Sequence, residues 1–222
     1  MPGTIADVLL LSLGVAISPI PVLAVVALLL SERPRPTGLG FTAGWFGGIA
    51  LVVCSATAFA LNSERLGLSW LRQSAAVVGI TLGVVTFAAG VAVWTLRPPG
   101  NEARQPRWLA ALDQLSVQRA VLLGVALSAV NPKNLLASVL TGVMLGWSGM
   151  SGQSLALSAA AFCLIASSTV LFPTLAFLVA GRATRGRLTT LRDLLIRHHS
   201  GVVSTILVAI GALLVIRALS AY

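Results

Sequence analysis

Lys133 is the only lysine in the chain, and it stands in Asn131-Pro132-Lys133-Asn134 between two apolar runs, Ala120–Val130 and Leu135–Leu145. Either run alone is too short to cross a bilayer. A cation near the centre of a span costs about 2.5–3.5 kcal/mol on insertion scales, so it is paired, hydrated or directed into a cavity. The chemistry that this pattern allows is recognition: an ammonium that contacts an anionic group of a cargo or of a coupling partner. The structural alternative is a lysine that snorkels from the end of a shorter helix. Asn131 and Asn134 flank it, and their amides can take up the backbone groups that Pro132 frees or bind polar cargo. A second interruption, Ser18-Pro19-Ile20-Pro21, breaks another apolar run. Freed carbonyls in lipid need partners, so both interruptions are expected to face protein or water, which makes Ser18, Pro19 and Pro21 candidate site residues beside Asn131, Pro132, Lys133 and Asn134.

Other groups carry weaker signals. Asp7 and Asp113 lie near the ends of apolar stretches, as surface carboxylates or as counter-ions at a cavity mouth. Phe172-Pro173-Thr174 is expected to kink its span. The adjacent His198 and His199 suit a solvated loop better than a metal pair, and no metal or other cofactor is expected. No acid sits deep in an apolar stretch, so a buried-carboxylate proton relay has no carrier. The chain has no phosphate-binding Gly-rich loop, no His-Glu-x-x-His and no Gly-x-Ser-x-Gly elbow, which argues against ATP hydrolysis by this chain and against an enzyme. Cys54 and Cys163 both fall in apolar segments and read as small core residues rather than a disulfide.

The elements that hold these residues follow from composition. Of 222 residues, 57% are hydrophobic and 9% charged, where a soluble domain carries about 25% charged residues. Six apolar stretches, roughly 5–30, 38–61, 74–96, 118–146, 153–181 and 201–219, read as transmembrane helices. The first lacks a basic leader, carries Asp7 and is expected to be retained. The net charge of +9 has no basic helix or aromatic-interleaved patch to carry nucleic acid, and is better explained by topology. Arg33, Arg35, Arg97, Arg104, Arg107, Arg119, Arg182, Arg185, Arg187, Arg192 and Arg197 fall in or beside the first, third and fifth breaks, against Arg65, Arg72 and Arg217 on the other side. Those odd breaks, Arg97–Val117 and Arg182–Ser200 among them, are therefore expected in the cytoplasm, with both termini outside a plasma membrane.

The expected architecture is one all-α membrane domain over 1–222: a three-helix half, 1–98, a cytoplasmic linker, 99–117, and a second half, 118–222. Each half has an odd number of spans, so similar halves insert in opposite senses, and each begins with a proline-broken helix. Paired broken helices in inverted halves point to a transport site near the midplane. Glycines four apart, Gly40, Gly44 and Gly48, Gly79 and Gly83, and Gly142 and Gly146, are expected to let helices touch, within one chain or across a homodimer.

This layout resembles the lysine-exporter superfamily, compact six-span proteins with prolines in the first and fourth helices. Asn131-Pro132-Lys133-Asn134-Leu135-Leu136 resembles the motif of its GAP family, the peptidoglycolipid- and sulfolipid-1-addressing proteins, and the run from Arg192 through His198, Val202 and Ile210-Gly211 is similar to that family's approach to its last helix. Ser18-Pro19-Ile20-Pro21 departs from the Pro-Gly-Pro of amino-acid exporters. The resemblance implies an actinobacterial exporter of a glycolipid or other cell-envelope lipid, working beside a larger lipid transporter. The rival readings are an exporter of amino acids or other small solutes and a non-transporting scaffold subunit of a lipid export complex.

Overall fold

The computed structural model describes residues 2–63 and 112–195, with positions 65, 67 and 95. The expected spans at 74–96 and 201–219, Gly79 and Gly83, and the Pro98-Pro99 and His198-His199 segments lie outside the described residues. Within them there is helix and turn and no strand. The helices are α1 (Pro2–Ala16), α2 (Pro19–Leu30), α3 (Pro34–Asn62), α4 (Val117–Ala129), α5 (Pro132–Trp147) and α6 (Gly152–Ala180). A 3-10 turn, Gly181–Thr184, follows, and residues 185–195 are again helical.

Two of these helices, α3 and α6, are long and apolar enough to cross a membrane. At 29 residues each they reach about 43 Å, more than the roughly 30 Å of hydrocarbon. α1 and α2 form a pair bent by 51°, and α4 and α5 a pair bent by 68°, so the described part crosses up to four times if each pair is one span. Both bends fall where the sequence places its prolines. Pro173 acts differently: α6 is one helix through it.

Proline starts each half-helix after a break because its missing N–H is unused at that position. Asn131 caps α5, its Oδ1 accepting from the Lys133 backbone N–H at 3.2 Å. Ser116 caps α4 and Ser151 caps α6 by accepting from the N–H three residues on, and α6 ends on Gly181 at φ 55°, where a side chain would be strained.

Glycine sets the closest approaches. A Cβ on Gly40 would lie 3.1 Å from the Val117 carbonyl, one on Gly44 would overlap that of Val121, and one on Gly146 would lie 2.8 Å from that of Thr57. The start of α3 therefore touches the start of α4, and its end touches the end of α5: α3 and the α4–α5 pair run in the same direction. α6 runs against them, since Thr174 meets Thr42 at 2.8 Å while Gly181 and Arg185 line one cavity with Arg35. The α1–α2 pair runs with α6, from Ala16 beside Thr169 to Glu32 beside Gly181. Phe41 and Trp45 stack at 6.5 Å in the centre with Phe162 and Leu28, all at most 1% exposed. The outward side is apolar: Val179 is 89% and Leu122 67% exposed.

The glycine contacts at Gly40, Gly44, Gly48, Gly142 and Gly146 lie within the chain. Cys163 is buried, whereas Cys54 is exposed on α3, and both are free thiols. Exposed Arg33, Arg35, Arg119, Arg185 and Arg187 gather at the end where α3 and α4 begin and α6 stops, while Arg65 follows the opposite end of α3. The expected loop Arg182–Ser200 contains the helix at 185–195, laid back along α6. Leu188, Leu191 and Leu195, at spacings of three and four, give it an apolar stripe between charged residues.

Candidate functional site at the paired helix breaks

At the first break the backbone ladder stops at Ile17, whose N–H donates to Leu13 O at 2.9 Å. Pro19 and Pro21 have no N–H to offer the carbonyls of Val15 and Ile17. The Ser18 N–H turns back to Ala16 O at 2.8 Å, which leaves Gly14 O without its helical donor. Three donations from elsewhere in the fold reach the carbonyls of this turn, those of Gly14, Ile17 and Ala16. Lys133 Nζ donates to Gly14 O at 2.8 Å and, more weakly, to Ile17 O at 3.4 Å. Thr169 Oγ1 of α6 donates to Ala16 O at 2.6 Å.

The second break is repaired from within. Pro132 withdraws the donor for Ser128 O, and Asn134 Nδ2 donates to Leu127 O at 3.2 Å. Asn134 is fully buried, and its Oδ1 has no partner among the described residues. Ser18, 6% exposed, is the residue before α2 and makes no cap with its side chain.

Through Lys133, the break at Asn131–Asn134 therefore meets the end of α1 at Gly14 and Ile17. The two interruptions, 119 residues apart at their closest contact, are one place in the fold. Lys133 is half-buried and aims along the end of α1, where the carbonyls carry the negative end of the helix dipole. The two acids fall elsewhere. Asp7 is half-buried on α1, about 10 Å along the axis from Gly14 at 1.5 Å per residue. Asp113 is exposed on the turn before α4.

A cavity of about 530 Å³ opens on the far side of the first break, within the roughly 300–1,000 Å³ usual for small-ligand pockets. Ile17, Pro19 and Val22 form one wall, Phe172 and Pro173 a second, and Leu191 and Leu195 a third. Ser168 and Thr169 also line it, but their hydroxyls donate to Ile165 O and Ala16 O. The Ser168 and Thr169 hydroxyls are spent on backbone, Ser18, which makes no cap, also lines the cavity, and the other side chains are hydrocarbon. Reading the sequence singled out neither Thr169 nor the Leu191–Leu195 wall. The leucine spacing was a usable signal; Thr169, one of several hydroxyl residues in its span, was not. No group of His, Cys, Asp and Glu able to hold a metal occurs among the described residues.

The family model described as Sap, sulfolipid-1-addressing protein, matches residues 8–220. The comparisons with curated proteins and with solved structures return no match.

Proposed function

This chain belongs to the sulfolipid-1-addressing protein family, and from that premise we propose that it exports a glycolipid or other cell-envelope lipid, acting where its two broken helices meet. The observation that carries the reading is the cavity at the first break: its walls are almost wholly hydrocarbon, and the Ser168 and Thr169 hydroxyls are turned to backbone. A zwitterionic amino acid would lose its hydration there without compensation, whereas an acyl chain loses nothing. The anionic or polar end of the lipid would then be offered to Lys133, which exchanges its carbonyl partners for the cargo.

Two further observations support the frame. The α1–α2 pair runs opposite to the α4–α5 pair, as the broken first helices of inverted halves would. α3 and α4 run in the same direction, which calls for an odd number of crossings between them, and the span expected from the sequence at 74–96 would be one. The arginine-rich end would face the cytoplasm of a plasma membrane, placing both termini outside. The partners of this reading are the membrane lipid itself and a larger lipid transporter that hands over or receives the cargo.

Lipid analysis of cell surface and cell interior after deletion of the gene tests the proposal. The expected result is one envelope lipid missing outside and accumulated within, restored by the wild-type chain. An unchanged lipid profile, with amino-acid accumulation by inverted vesicles that contain the purified protein, would replace the lipid reading with the solute one.

A further inference from the structure

We propose that the face of α5 carrying Asn134, Ser138 and Thr141 lines a water-accessible path in a second conformational state. The three lie at i, i+4 and i+7, one above another on the helix. Each is at most 1% exposed, and Asn134 Oδ1, Ser138 Oγ and Thr141 Oγ1 all lack a hydrogen-bond partner among the described residues. The inference rests on the exporter reading for its purpose and on these atoms for its evidence.

Other hydroxyls in the bundle show what is unusual here. Thr37 and Thr57 bond the carbonyl four residues back and Ser128 the one three back, while of Thr42 and Thr174 one donates to the other and that other to the carbonyl four residues behind it. A helical serine or threonine buried in an apolar bundle can always do this. Ser138 and Thr141 do not, so their oxygens are held away from the helix's own carbonyls. α3 and α6, which both pack on α5, add an unpartnered Trp45 Nε1 and Ser167 Oγ. Every such group is a net cost to the packed state and is relieved once water reaches it.

The helix that carries the row is mechanically distinct. α5 hangs from the 68° break at Asn131–Pro132 and meets α3 over the smooth surfaces of Gly142 and Gly146, across which it can shift without unlocking large side chains. The Lys133 ammonium, one residue before the row, repels a cation from its near end. The path therefore suits water and neutral hydrogen-bonding groups, such as the hydroxyls of a polar headgroup.

Thiol accessibility in reconstituted vesicles tests this without a transport assay, so it can fail while the exporter reading stands. In a Cys54→Ser, Cys163→Ala background, Ser138→Cys and Thr141→Cys are treated with a hydrophilic methanethiosulfonate reagent, with Gln153→Cys as the exposed reference and Ile49→Cys as the buried one. A second state populated at about 0.1–10% predicts labelling at that fraction of the Gln153→Cys rate. Labelling at the Ile49→Cys rate overturns the proposal. Thr141→Val, nearly isosteric, gives an independent reading that does not need the cysteine variants to fold: a higher melting temperature is expected because an unpartnered hydroxyl leaves the packed state. A lower one would show that the hydroxyl is satisfied in that state and would remove the argument.

Discussion

Gly142→Ala isolates the contact on which the position of α5 depends. A Cβ on Gly142 would lie 2.6 Å from Val53 O and 2.6 Å from Ala56 Cβ, where ordinary contact begins at 3.4 Å. Neither neighbour is the end of a flexible side chain, so α5 and α3 have to part by up to about 0.8 Å, the difference between those two distances. A gap of roughly 0.5–1 Å forfeits a quarter to a half of each dispersion contact along a seam. Forcing a methyl into a filled interface costs about 1–3 kcal/mol, and alanine in a helix returns about 0.5–1 kcal/mol relative to glycine. The two ranges net to a loss centred near about 1 kcal/mol, or roughly 2–4 °C in melting temperature for a chain of this length. Gly47→Ala provides the control, since its Cβ would meet nothing within 4 Å on the neighbouring helix α3. It should be neutral or stabilising. Fluorescence-detected size-exclusion chromatography after heating in detergent measures both. Equal melting temperatures would show that the α3–α5 seam does not depend on backbone contact, and would refute the reasoning.

Other outcomes follow from the same contacts. Lys133→Met should abolish export while the protein still folds, because loss of the Gly14 and Ile17 contacts is offset by relief of a buried charge, and Lys133→Arg should rescue export only in part; full activity of the Met variant, normalised to folded protein, would end the case for Lys133 as a site residue. Thr42→Val and Thr174→Val should each cost about 0.6–1 kcal/mol, and the double variant less than their sum, since they share the 2.8 Å bond between α3 and α6; strict additivity of thermal shifts would refute the coupling. Gly44→Leu should reduce the yield of folded protein far more than Ala58→Leu, because the first faces the Val121 backbone and the second is exposed. A cysteine at Gln153 should be labelled by an impermeant reagent in intact cells and one at Arg187 only after permeabilisation; the reverse pattern would invert the topology.

What the sequence determines here is where chains of hydrogen bonds stop and which surfaces are apolar. Pro19, Pro21 and Pro132 remove specific N–H groups, and that loss is local and independent of context, so both breaks were legible before any fold was known. The apolar lengths that became α3 and α6, and the glycines that allow close approach, were legible for the same reason: a missing donor and a missing side chain are properties of single residues. The partners of the freed groups were not. Lys133 reaches Gly14 O across 119 residues, and Thr169 reaches Ala16 O across 153, so nothing near either residue in the chain announces the contact. Burial of Asn134, Ser138 and Thr141 without partners is likewise invisible locally, because a helical hydroxyl has a carbonyl within reach and only packing against α3 and its neighbours decides whether it is used. The helix at 185–195 lies between these cases. Its Leu188, Leu191 and Leu195 stripe is written in the sequence, but its position over the first break, where it completes a hydrocarbon-walled cavity, depends on the turn at Gly181 and on the side that α6 leaves open.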